Sequence, residues 1–162
     1  IFRRISEDDS AYNGYNLLLG DMEGLYYHSN RLPGSEVYIE LSVHGLSNSF
    51  LDVPWPKVSK GKKRLEDCLK NGRTGPEALF DILSDDEPAP DDELPHTGVT
   101  YEREKMLSSI FVKSEDYGTT SSTVLLVSRD GHVRFWERNY EPGKRKVRSE
   151  LFFEFDMAYA GD

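Results

Sequence analysis

Thiol chemistry is nearly absent from this chain: Cys68 is the single cysteine among 162 residues. An internal disulfide is excluded, and nothing points to an oxidising compartment. Long hydrophobic runs are missing too. No stretch approaches the roughly 20 apolar residues of a membrane helix, so no transmembrane segment is expected. Basic charge is scarce: the formal net charge is -9, with much of the acid in SEDD and LSDDEPAPDDE. Nucleic acid is therefore not an expected partner, because its recognition needs a basic field. The four histidines, His28, His44, His96 and His132, fall in no zinc spacing, and no Cys-x-x-Cys-His haem attachment occurs. No metal site is expected. A Gly-x-Ser-x-Gly elbow and a P-loop are also lacking, so neither a serine nucleophile nor nucleotide binding has sequence support. The chain opens with IFRRISEDDS, neither an initiator methionine nor a signal peptide, and an upstream segment of the natural protein is expected.

What is present is the composition of a soluble, folded domain. The hydrophobic share is 37% and the charged share 30%, on the polar side of average. The 8 Phe, 9 Tyr and 2 Trp argue against disorder, since aromatics bury much area each. The length suits one domain burying about two-thirds of its unfolded surface.

Strand patterns come first. YNLLLGDMEGLYYHSNR carries two apolar runs around a Gly20-Asp21 turn signal, as in a hairpin, and SEVYIELSVHGLSN supplies one or two more short strands. The middle reads as two helices. PWPKVSKGKKRLEDCLKNG spaces Val58, Leu65, Cys68 and Leu69 helically and stops at Gly72; GPEALFDILSDD starts with Pro76 in its first turn. The acidic, Pro-rich segment at about 85–98 reads as an exposed loop. YEREKMLSSIFVK opens with a helical turn and gains strand character over Ser109–Lys113. STVLLVSRDGHVRFWER is a hairpin around Asp130-Gly131, with Val133, Phe135 and Glu137 on one face. RSELFFEFDM ends the chain as a strand with an apolar face at alternate positions. Strands, helices, then strands predict an α+β fold with largely antiparallel sheets.

The stretch VHGLSNSFLDVPWPK holds the first functional candidates. Gly45 admits unusual backbone, Asn48 offers an amide, and Pro54 and Pro56 stiffen the exit. This reads as a strand end presenting a polar side chain. Asn48 could donate to a developing oxyanion, or it could satisfy backbone groups in the turn. His44 and Ser47 share this corner, and Trp55 reads as a core or groove-wall residue. The second candidate is EDYGTTSST: backbone N–H groups around Gly118 could approach an anion, or the segment is a polar loop entering a strand. KGKKRLEDCLK is a basic helix face, either solvated or suited to an anion.

Taken together, AYNGYNLLLGD, LYYHSNR, HGLSNSFLDVPWPKVSKGK, DYGTTSSTVLLVSRDGHVRFWER and ELFFEF resemble the transport and Golgi organization protein 2 family, the NRDE-motif family. The likeness runs in order from about Tyr12 to Phe155 and corresponds to the C-terminal part of a member, a single domain over 1–162 whose N-terminal part is missing. The resemblance implies an αββα sandwich like that of N-terminal-nucleophile hydrolases. There a cysteine after the initiator methionine would be the nucleophile; it is not in this chain, and Cys68 does not replace it. The family's Gly-Leu-Ser-Asn matches Gly45, Leu46, Ser47 and Asn48. By resemblance to cysteine acylases, Asn48 would support an oxyanion in a cleft between the sheets, near Trp55. Tyr117, Gly118 and Thr119 match the family's Tyr-Gly-Thr, but Thr120 stands where relatives often carry Arg. His44 stands where relatives often carry Tyr. The ligand-binding set implied is His44, Ser47, Asn48, Trp55, Tyr117, Gly118 and Thr119.

The resemblance further implies Golgi organisation, protein secretion, haem trafficking, and lipid or acyl-CoA homeostasis with a mitochondrial link. Three functions compete. The first is a non-enzymatic trafficking protein of the cytoplasm, Golgi- or mitochondrion-associated, that binds a small apolar, acid-bearing ligand such as haem or an acyl thioester. The second is a thiol-dependent amide or thioester hydrolase with an upstream nucleophile. The third is an interaction module using the acidic Asp85–Glu93 loop. Without its upstream segment the sheet would expose long edges, so the chain alone is expected to be unstable or dimer-prone.

Overall fold

The Gly20-Asp21 turn signal closes a hairpin between β1 (Asn16–Gly20) and β2 (Leu25–Ser29). Asp21 Oδ1 accepts from the backbone N–H groups of Glu23 and Gly24 at 2.8 and 3.1 Å, the local bond that makes Asp a turn residue. A Cβ on Gly20 would lie 2.5 Å from the Gly24 carbonyl, so only glycine fits there. In this computed structural model residues 11–32, 34 and 36–157 are described, and the SEDD segment lies outside them. The chain divides into two compact units, Ile1–Val53 and Pro54–Asp162.

In the first unit β2 also pairs with β3 (Val37–Ile39), giving an antiparallel sheet in the order β1-β2-β3. Tyr27 and Ile39 are buried with His28 and Ser29. The expected strand character stops at Ile39; from Ser42 to Asn48 the backbone is irregular.

The second unit holds three helices among the described residues, one more than expected. Helix α1 (Pro56–Lys70) starts with proline at its first turn and ends where Gly72 takes φ +67 and Arg73 N–H donates to the Cys68 carbonyl, a left-handed stop. Val58 and Cys68 are buried, while Leu69 is half exposed. Helix α2 (Pro76–Leu83) buries Phe80 and Ile82. The helical turn at Tyr101 extends to a full helix, α3 (Tyr101–Leu107), capped by Thr100. Ser109–Lys113 forms no strand; only an isolated Lys113–Gly118 bridge remains. Phe111 and Val112 are buried there instead, and Phe111 stacks edge-on against Tyr140 at 4.8 Å.

The second sheet runs β4 (Ser121–Val127), β5 (His132–Tyr140), β6 (Val147–Asp156), all antiparallel. Pairings of Val127 with Val133, Leu125 with Phe135 and Thr123 with Glu137 put the expected residues on one face. Leu151, Phe153 and Phe155 extend that face and stand about half exposed. Behind the opposite face, Phe80 of α2 packs under the Arg138 guanidinium, 3.9 Å from its ring centre. Helices beside antiparallel sheets make this an α+β fold.

The acidic segment is largely an exposed, irregular stretch, but it is anchored. Ala89 and Leu94 are buried, and Asp91–Glu93 turns as a short 3-10 helix. Its backbone is pinned from a distance: Ala89 N–H donates to Ser108 Oγ at 2.9 Å, and Lys105 Nζ donates to the Ala89 carbonyl at 2.7 Å. Hydrogen bonds across such separations leave no local sequence pattern.

Candidate functional site

Asp52 organises the corner that carries Gly45, Ser47 and Asn48. It has the positive φ of 58°, a conformation that Asp and Asn tolerate better than other non-glycine residues. In that pose Oδ1 accepts from Gly45 N–H at 2.9 Å, while Asp52 N–H donates to the Gly45 carbonyl at 2.8 Å. Oδ2 lies 2.6 Å from His44 Nδ1, and His44 Nε2 lies 3.0 Å from the Glu40 carbonyl. Both ring nitrogens of His44 therefore face oxygen acceptors. From the sheet, Asn16 Nδ2 donates to the Ser49 carbonyl at 2.9 Å, and Asn16 is itself held by Tyr27 OH at 2.6 Å.

The outcome for Asn48 is specific. The loop is closed by Asp52, His44 and Asn16, and the Asn48 side chain is exposed with no hydrogen bond among the described residues. Its amide is not consumed by the turn. The corner is a clasped loop, not a strand end, because the backbone bonds that a ladder would use are made within Gly45–Asp52. Asp52 and Asn16 escaped the sequence reading. Asp52 had one weak mark, a residue tolerant of left-handed backbone set before the prolines; Asn16 had none, since its partner is 33 residues away.

His44, Gly45 and Leu46 also line a cavity of about 580 Å3 within the first unit. Leu18, Met22, Leu25, Ile39 and Leu51 supply its apolar walls, and Asp21, Glu23 and Glu40 its acidic groups. The size falls in the range of small-molecule sites.

Tyr117, Gly118 and Thr119 belong to the second unit, where they form a tight turn. Thr119 N–H donates to the Val112 carbonyl at 2.9 Å, and Thr119 Oγ1 accepts from Val112 N–H at 3.0 Å. Ser114 Oγ donates to the Tyr117 carbonyl at 2.5 Å. A Cβ on Gly118 would sit 2.9 Å from the Val112 oxygen, so close backbone approach accounts for the glycine. Tyr117 and Thr120 are exposed. Trp55, half buried, ends its strand-like entry as the residue before α1; its carbonyl accepts from Val58 and Ser59. His44, Ser47 and Asn48 thus share one loop of the first unit, while Trp55 and the Tyr117–Thr119 turn lie in the second.

Electrostatics in the second unit centre on Asp85, whose side chain is only 10% exposed. Burial pushes its carboxyl up, but hydrogen bonds from Lys60, the Glu87 backbone and Arg64 outweigh that and hold it below the ordinary range. Asp86, bonded to Lys113 and close to Arg145, is also held low. Glu87 meets Lys60 at 2.7 Å, and Asp91 pairs with Lys105. Asp85, Asp86, Glu87 and Asp91 of the acidic segment are thus matched by Lys60 and Arg64 of α1, Lys105 of α3, and Lys113 and Arg145. Among the described residues no group of three His, Cys, Asp or Glu could hold a metal ion, and no helix is long and apolar enough to cross a membrane.

Comparison with known proteins places these features in a family. The model of the family described as Transport and Golgi organisation 2 matches residues 1–142. A Transport and Golgi organization protein 2 homolog of Bos taurus is 34% identical over 150 residues, 85% of this chain and 54% of that protein. The Homo sapiens homolog is 30% identical over 151 residues, with the same shares. The chain spans about half the length of the curated relatives it matches. With an ordered match across most of its length, the chain belongs to the Transport and Golgi organisation 2 family.

Proposed function

We propose that this chain is part of a non-enzymatic trafficking protein that supports Golgi organisation and secretion by holding a small apolar ligand with an acid group. It acts in the cytoplasm at Golgi or mitochondrial membranes. The observation that carries the reading is the pairing of family membership with cavities of ligand size whose walls combine apolar and charged side chains. Of the two ligand types the family resemblance brings forward, an acyl thioester suits this chain better than iron-coordinated haem. Both His44 nitrogens face acceptors in the loop clasp, so iron ligation by His44 would require opening that clasp. The test is titration of the full natural protein with palmitoyl-coenzyme A, a thioester whose acid groups are phosphates, followed by tryptophan fluorescence, and with haemin, followed in the Soret band. Saturable binding of the thioester supports the reading; a flat response to both overturns it.

A second reading has its own observation. The exposed Asn48 amide, with no hydrogen bond among the described residues, is available to a developing oxyanion, as a hydrolase with a nucleophile outside this chain would need. Asn48→Ala would then lower turnover by about 100- to 1,000-fold, and unchanged turnover would remove it. Docking through Asp85–Glu93 has less support, because Asp85, Asp86, Glu87 and Asp91 are already paired within the chain.

A further inference from the structure

A groove of about 780 Å3 lies within the second unit, along the start of α1 and the segment after α2. Pro54, Pro56, Pro88, Ala89, Pro90 and Ile110 give it apolar walls, and Lys57, Lys60, Lys63 and Lys105 bring four ammonium groups to it. Three of these are already neutralised: Lys60 by Asp85 and Glu87, Lys63 by Asp67, and Lys105 by Asp91. Lys57 is different. Its Nζ donates to the Leu107 carbonyl at 3.0 Å and sits 5.8 Å from the centre of the Trp55 ring, with no carboxylate partner among the described residues.

We infer that this groove takes the acid group of an organic anion with an apolar body, and that Lys57 is the residue that binds the acid. The inference rests on the ligand-handling reading above and gives it a location.

The bland account of Lys57 is that it serves the C-terminal carbonyls of α3, where a cation is favourable. That role uses one of its three N–H donors. Two donors remain on a half-buried ammonium that no anion among the described residues balances, and burial lowers its proton affinity. A charge in that state gains more from an incoming anion than a solvated one does. Glu93 also lines the groove, with no cation against it among the described residues. It is exposed, so water and salt screen it, whereas Lys57 is screened less. Proline and aliphatic walls then suit the ligand's apolar body.

The experiment uses the full natural protein with three probes: cis-parinaric acid, its chain-matched methyl ester, and dodecyl phosphate. Wild type should bind the carboxylate at least tenfold more tightly than the ester. Lys57→Met should abolish that preference while leaving ester affinity unchanged, and Lys57→Arg, which keeps the charge, should retain it. Circular dichroism checks that each variant is folded, and if Lys57→Met is not, Lys57→Gln takes its place. Tight binding of dodecyl phosphate, lost in the same variant, assigns the site to phosphate-bearing ligands as well as carboxylates. Equal affinity for acid and ester in wild type, or an unchanged preference in Lys57→Met, overturns the inference while ester binding still upholds ligand handling. Failure to bind any probe overturns both.

Discussion

Replacing Asp85 by alanine should cost far more than its place in an acidic, proline-rich stretch suggests. The carboxylate is 10% exposed and accepts from Lys60 Nζ at 2.9 Å, Arg64 at 2.8 Å and the Glu87 backbone N–H at 3.1 Å. Hydrogen bonds to charged groups contribute about 1.5–3 kcal/mol each, and stripping one partner from a fully buried pair costs about 3–5 kcal/mol. Here the loss is smaller than the sum, because Lys60 keeps Glu87 and Arg64 keeps Asp81. We expect about 2–3 kcal/mol, which for a chain of this size lowers Tm by roughly 4–12 °C. The pH dependence has a definite sign. Asp85 has its folded proton affinity depressed, so its contribution is present above the unfolded carboxyl value of about 3.9 and is lost as pH falls through the lower folded value. Urea unfolding followed by tryptophan fluorescence at neutral pH and near pH 3 measures both. A neutral-pH difference below about 0.5 kcal/mol, the scatter of ordinary surface changes, would refute the assignment. So would a difference that persists unchanged in acid.

Three further perturbations test the local geometry. Gly118→Ala forces a Cβ to 2.9 Å from the Val112 carbonyl and should destabilise by about 1–3 kcal/mol in urea; a neutral result would show that the turn can relax. Asp52→Ala loses the bonds to Gly45 and His44 and leaves alanine at φ 58°, where the left-handed conformation costs roughly 1–2 kcal/mol. Asp52→Asn tolerates that backbone and should lose less; equal losses in urea midpoint would contradict the argument. His132 bridges Asp156 and Glu154 at 2.8 and 2.9 Å, and those hydrogen bonds raise its proton affinity. A raised value contributes stability that is full below the unfolded value near 6.5 and lost as pH rises through the folded one. His132→Asn should flatten the fall in stability above that point, and an unchanged pH profile would show the bridge is idle in solution.

Elements governed by near neighbours were legible in the sequence. The β1–β2 turn rests on Asp21 and its next two N–H groups, α1 on Pro56 and Gly72, and the β4–β5 turn on Gly131 at φ 83. Alternation also placed Leu151, Phe153 and Phe155 on one face of β6. What escaped depends on distant partners. The segment from Asp85 to Leu94 looks solvent-loving by composition, yet Ser108, Lys105, Lys60 and Arg64 reach it from 14 or more residues away. Ser109–Lys113 has β-forming residues, but Phe111 N–H donates to the Asp85 carbonyl and not to a strand ladder. At the candidate site, the motif residues Gly45 and Asn48 are legible, while Asp52 acts through a backbone angle and a side-chain clasp on Gly45. Neither is written in residue order.

The central claim, that the natural protein holds its ligand without transforming it, is tested most directly by the mass of the ligand after incubation. Palmitoyl thioester bound to the full natural protein at saturation should be recovered intact, at the rate of loss seen in buffer. Enzymatic release of palmitate, abolished by thiol alkylation and by Asn48→Ala, would contradict the account and establish the hydrolase reading in its place.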